Sequence, residues 1–189
     1  MSDDFHVHGP HDHELEHAAH GGDDFSSRIA VMTAIMATVG ALFGFQGGDT
    51  QNEAAMFKNN AAIKKTEAAN QWNYYQAKSN KQNLAELAMT LPGANVAKYT
   101  ADVARYKLEK EGIKKAAEKL ELVSLDWDKR SEESMHSHHR WALATTAEQI
   151  AISLAAITLL TRKKWLMYGA YGIAGLGILI GLTAYFHLF

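Results

Sequence analysis

The sequence has no cysteine, only two prolines, and three long stretches almost free of charge. Without cysteine there can be no disulfide scaffold. The prolines stand at positions 10 and 92, so the strongest helix breaker is missing from most of the chain. Asp, Glu, Lys and Arg are absent from residues 29–48 and 165–189, and residues 141–161 contain only Glu148. A mostly apolar run of about 18 residues or more has the length of a membrane-crossing helix. The mean hydropathy of −0.22 therefore averages three apolar blocks against a polar remainder. This composition argues against a soluble enzyme domain. Nineteen basic and 21 acidic residues give no basic excess, so nothing points to nucleic-acid binding. Walker, dinucleotide-glycine, His-Glu-x-x-His and Gly-x-Ser-x-Gly motifs are also missing, and the chain reads as non-enzymatic.

Four regions follow one another. Residues 1–27 hold seven acids and six histidines, with Gly9, Pro10, Gly21 and Gly22 among them. So little apolar surface predicts a disordered tail, and its acidic start does not fit a secretory signal. Residues 28–48 form the first span, with Ser26 or Ser27 as N-cap and Gly47-Gly48 as its end. A new helix is expected from Thr50, which with Glu53 fits a capping box. Residues 49–140 are rich in Ala, Gln, Lys and Glu, and residues 141–161 and 165–189 form spans two and three. Leu91-Pro92-Gly93 is the strong breaker in the middle region, with Gly112 a softer one. Span two must re-enter the membrane from the face where span one leaves it. Two matched arms folded at 91–93 achieve this. The expected fold is an all-α membrane protein with three transmembrane helices and a long antiparallel extramembrane helical hairpin, a coiled coil between spans one and two.

The turn Thr161-Arg162-Lys163-Lys164 packs three cations into a short loop, which the positive-inside rule places in the cytoplasm. The N-terminus is then cytoplasmic and the hairpin periplasmic. Lys129, Arg130 and Arg140 beside span two argue the other way. Trp141 and Trp165 mark the two ends of span two as interfacial residues.

Small residues recur in the spans: Gly40, Gly44 and Gly48 in the first, Gly177 and Gly181 in the third. In lipid such spacing marks helix contact faces, for packing within one chain or for homo-oligomerisation. Glu148 lies about 10 Å past Trp141 along span two, where an ionisable group is a candidate functional site. Thr183, Tyr185 and Thr145 are its expected hydrogen-bond partners, Thr183 being the intramembrane polar residue paired with it. In the middle region Asn52, Asn59, Thr66, Asn73 and Asn80 recur every seven residues. Met56, Ile63, Asn70, Ala77, Leu84 and Leu91 run parallel four residues on. Sevenfold spacing keeps each row on one side of a helix. The second row is the expected seam with the returning arm, where Tyr99, Val103, Tyr106, Ile113, Leu120 and Trp127 also keep helical spacing. The Asn row reads as a solvated face, or as a polar seam between subunits or a lumen. The aromatic group Trp72, Tyr74 and Tyr75 exceeds what one thin hairpin can bury and favours association.

His6, His8, His11, His13, His17 and His20 lie among carboxylates in the tail. That donor set suits weak binding of zinc, nickel or copper without fixed geometry. His136, His138 and His139, with His187, form a second candidate metal group beside the membrane.

The run from Ser27 through "NQWNYYQAKSNKQNLAELA" resembles the bacterial membrane proteins grouped as domain of unknown function 4337, as does the acidic, His-rich opening. The resemblance implies a multi-pass protein of the bacterial inner membrane and carries no catalytic residues. The expected function is an oligomeric scaffold or accessory subunit of a cell-envelope assembly. Its partners would be the lipid bilayer, further copies of itself and other envelope proteins. Two alternatives are an oligomeric channel or transport protein with Glu148 on its path, and a metal-responsive protein using the His clusters. No cofactor is expected beyond the weakly bound metals.

Overall fold

A computed structural model describes residues 24–186. Most of the N-terminal tail, with its six histidines, and His187 lie outside the described residues. The architecture is all-α: α1 spans Asp24–Ala88, α2 Val96–Thr161 and α3 Lys164–Tyr185. All three are long and apolar enough to cross a membrane. The chain divides into an apolar unit, from residues up to Gln51 and from His136 onward, and a charged unit, Asn52–Met135.

Two boundaries differ from expectation: α1 begins at Asp24, so Ser26 and Ser27 lie inside the helix and not at its N-cap. α1 does not stop at Gly47-Gly48 but continues through both glycines. Thr50 caps nothing; its hydroxyl donates back to the Gln46 and Gly47 carbonyls at 3.0 and 3.1 Å. A glycine inside a helix costs about 1 kcal/mol against alanine. Gly47 nevertheless lies against α2: a Cβ there would stand 3.4 Å from Trp141 Cβ, and its carbonyl accepts from His138 Nδ1 at 2.8 Å. α2 likewise runs unbroken through Gly112. The one break between Asp24 and Thr161 falls at residues 89–95, where Gly93 takes a left-handed φ of 78°. Asn95 then caps α2, its Oδ1 accepting from Lys98 N at 3.1 Å.

In the charged unit α1 and α2 pack antiparallel along a seam of small residues. Ala54, Ala61 and Ala68 are buried at seven-residue steps on α1, and Ala117, Ser124 and Ser131 at the same step on α2. Ser124 Oγ donates to the Ala61 carbonyl at 2.9 Å, and Ser131 Oγ to the Ala54 carbonyl at 2.8 Å. A serine side chain is short, so it reaches a neighbouring backbone only where the helices approach closely. A helix carbonyl has a second lone pair to accept the bond. The small side chains are therefore the condition for the ladder.

This corrects the expected seam on α1. Met56 and Leu84 are each 65% exposed and Ile63 47%, and Asn70 and Ala77 are exposed with them. Large apolar side chains would have held the helices apart. On α2 the expected row does face inward: Val103 is buried, and Tyr106, Ile113, Leu120 and Trp127 are half-buried. Longer side chains flank the ladder. The Phe57 and Trp127 rings lie 5.5 Å apart, and Trp72 Nε1 donates to Glu121 Oε1 at 3.0 Å. Lys78 Nζ lies 2.6 Å from Glu109 Oε2. Its bond to the Lys78 ammonium holds the Glu109 carboxyl below its ordinary range.

In the apolar unit the helices share a core of Ile29, Met32 and Met36 from α1, Ala151 and Ala155 from α2, and Ala170 and Ala174 from α3. The outward faces carry exposed Val31, Ile35, Leu42, Leu143, Leu160 and Leu179. Such a surface fits lipid rather than water.

Candidate functional site: a buried carboxyl among glycines

The buried row of α2 in the apolar unit is Trp141, Ala144, Glu148, Ala151, Ala155 and Thr158. Its 3–4 spacing is that of a helix seam. Five of the six suit a tightly packed interior. The sixth, Glu148, is 0% exposed, and neither carboxyl oxygen has a hydrogen-bond partner. Thr145 and Thr183, expected to bond it, do not. Thr145 Oγ1 donates to the Trp141 carbonyl at 2.8 Å and Thr183 Oγ1 to the Ile180 carbonyl at 2.7 Å. Each hydroxyl satisfies itself on its own helix, as Ser and Thr do where no water competes. Tyr185 is exposed.

The glycines make room for Glu148. A Cβ on Gly40 of α1 would stand 3.3 Å from Glu148 Cβ. On Gly177 of α3 it would stand 2.9 Å from Glu148 Oε1 and 3.3 Å from the Ala144 carbonyl oxygen. One turn on, a Cβ at Gly181 would fall 2.5 Å from the Phe43 ring. The Phe43 ring lies tilted against Trp141, the ring centroids 5.5 Å apart, and Trp141 is buried. Gly40, Gly177 and Gly181 thus serve packing within one chain. A Cβ on Gly44 would only graze Thr145, at 4.0 Å, and Gly48 has open space.

An unpartnered buried polar group costs roughly 1–3 kcal/mol. Methionine matches glutamate in length and has no such requirement. Glu148→Met is therefore expected to raise the stability of the apolar unit by about 1–3 kcal/mol, whereas Glu148→Gln leaves it near wild type. Unfolding in bicelles measures this, and a Met variant no more stable than wild type would contradict the assignment.

The second histidine group does not converge. His138 donates from Nδ1 to the Gly47 carbonyl at 2.8 Å, while His136 and His139 are exposed. Among the described residues no group of three or more His, Asp or Glu side chains could hold a metal ion. His138 instead continues in the apolar unit the pattern of Ser131 and Ser124, a side chain bonded across to an α1 carbonyl. Sequence reasoning missed this ladder. Its signal was the recurrence of Gly40, Gly47, Ala54, Ala61 and Ala68 every seven residues, hidden behind the four-residue glycine spacing.

No curated protein and no solved structure matches the chain. Residues 25–187 match the family described as domain of unknown function (DUF4337), and the chain belongs to that family.

Proposed function

We propose that the protein is a self-associating, non-enzymatic membrane scaffold whose copies join through the outer face of α1 in the charged unit. One observation carries this reading. Two rows of α1, Asn52/Asn59/Thr66/Asn73/Asn80/Leu87 and Met56/Ile63/Asn70/Ala77/Leu84, interleave at steps of four and three, and all eleven side chains are exposed. They lie about 150° round the helix from the buried Ala54/Ala61/Ala68 row at ~103° per residue of a heptad helix. α1 therefore has two opposite heptad seams, and α2 fills only one.

The occupant best suited to the second seam is another copy of α1. Copies that enter a membrane in one orientation present their α1 helices in parallel. In register, each asparagine then meets its own equivalent. An amide both donates and accepts, so identical asparagines can pair. Polar residues at seam positions fix register at some loss of stability. Ile63, Leu84 and Leu87, at 47, 65 and 61% exposure, supply the apolar contacts. This organisation fits a bacterial inner-membrane protein that arrays itself and holds other envelope proteins. The Arg162-Lys163-Lys164 turn favours a cytoplasmic N-terminus.

The absence of native cysteine makes the test direct. Asn73→Cys is expected to form disulfide-linked dimers in membranes under mild oxidation. Lys65→Cys, exposed but off the stripe, should not. Ile63→Lys with Leu84→Lys should weaken association at least tenfold by sedimentation in mild detergent. Equal cross-linking at both positions, or a monomer at every concentration, would overturn the reading.

A further inference from the structure

The apolar unit has a second feature, away from Glu148. A groove of about 560 Å³ runs between α1 and α3. Val31, Ile35 and Met36 line one wall and Ala174, Gly175 and Ile178 the other. Tyr171 also lines the α3 wall, and Gly175 leaves open space on it: a Cβ there would meet nothing within 4 Å. Arg28 lies at its end and also borders a neighbouring pocket of about 450 Å³, with Arg162, Lys164, Asp24 and Tyr168. Three cations and one carboxylate leave this mouth net positive. The Arg28–Asp24 contact, 4.0 Å between largely exposed side chains, is of the weak surface kind. Exposed Trp165 and Tyr168 stand at the same end, as aromatic residues do at a headgroup layer.

Arg162 adds an independent observation. Its φ of 55° places an L side chain in the left-handed region. Glycine or asparagine adopts that region more readily. The turn thus carries an arginine where the backbone would suit glycine, with Lys163 and Lys164 directly after it.

We propose that the apolar unit holds one anionic phospholipid, its phosphate group at Arg28, Arg162 and Lys164 and an acyl chain in the α1–α3 groove. Apolar length and positive charge meet end to end at Arg28. A basic pocket between membrane helices is the recurrent form of such a site, and guanidinium groups match phosphate geometry through paired donors. The inference rests on the membrane reading of the three helices but not on self-association.

The test is native mass spectrometry of the full chain in mild detergent, titrated with phosphatidylglycerol or phosphatidylcholine. One phosphatidylglycerol is expected to be retained at least tenfold better than phosphatidylcholine. Arg28→Gln with Arg162→Gly should bring that preference to near unity. Arg162→Gly relieves the turn, so its thermal midpoint should match or exceed wild type, which separates lost binding from lost folding. Gly175→Phe should fill the groove and lower retention of both lipids. Equal retention of the two lipids by wild type, or an undiminished preference in the double variant, would overturn the site. Reconstitution into phosphatidylcholine bilayers would still succeed in that event, leaving the membrane reading intact.

Discussion

Gly177→Leu is expected to unfold or splay the three helices of the apolar unit, with a loss of roughly 3 kcal/mol or more. The first added carbon would stand 2.9 Å from Glu148 Oε1, 3.1 Å from Ala147 Cβ and 3.3 Å from the Ala144 carbonyl oxygen. A flexible side chain could swing away, but Ala147 is already minimal and Ala144 O is backbone. Relief therefore requires α3 to move off α2. Leucine also removes a helical glycine, a gain of about 0.8–1 kcal/mol. Gly172→Leu receives that gain without a clash, because a Cβ there meets nothing within 4 Å. The two variants should move in opposite directions from wild type when unfolded by SDS in mixed micelles. Equal behaviour would mean that α3 does not pack on α2 at Gly177.

Ala61→Leu should open the charged unit just as strongly. Ala61 is 5% exposed, and its carbonyl accepts from Ser124 Oγ at 2.9 Å. Three more carbons in a closely packed seam cost about 1–3 kcal/mol. Separating the helices also strands the buried Ser124 hydroxyl, at roughly 1–3 kcal/mol. A loss of about 3 kcal/mol corresponds to roughly a hundredfold rise in opening. Hydrogen exchange of the full chain should show that rise at residues 54–68 and 117–131. Lys65→Ala, at an exposed position away from both seams, should leave exchange there unchanged. Unaltered protection in Ala61→Leu would show that the seam lies elsewhere.

Much of this fold was legible in the sequence because it rests on composition and local chemistry. The uncharged runs at 29–48 and 165–189 mark two helices with the make-up of membrane spans, and the run around Glu148 a third. Leu91-Pro92-Gly93 marks the turn, since proline restricts the residue before it and glycine accepts positive φ. The helix faces were harder to read. Met56, Ile63 and Leu84 form the more hydrophobic row, yet α2 packs on Ala54, Ala61 and Ala68. A row of alanines carries little hydrophobic signal. Its advantage is closeness, which counts only once a partner helix with serines at matching steps lies opposite.

The same division explains Gly47 and Glu148. By itself the sequence determined an all-helical chain of three long apolar helices, the position of its main turn, and one carboxyl placed in an apolar run. Local propensity and hydrophobic length suffice for each of these, because neither depends on a distant residue. Only the tertiary structure decided that the helix runs through Gly47-Gly48, since Trp141 and His138, some ninety residues away, close over Gly47. Only it decided that Gly40 and Gly177 enclose Glu148, and that Thr145 and Thr183 turn back to their own helices. A glycine in isolation weakens a helix. Against a second helix it becomes the contact point, because removing one Cβ lets two backbones approach.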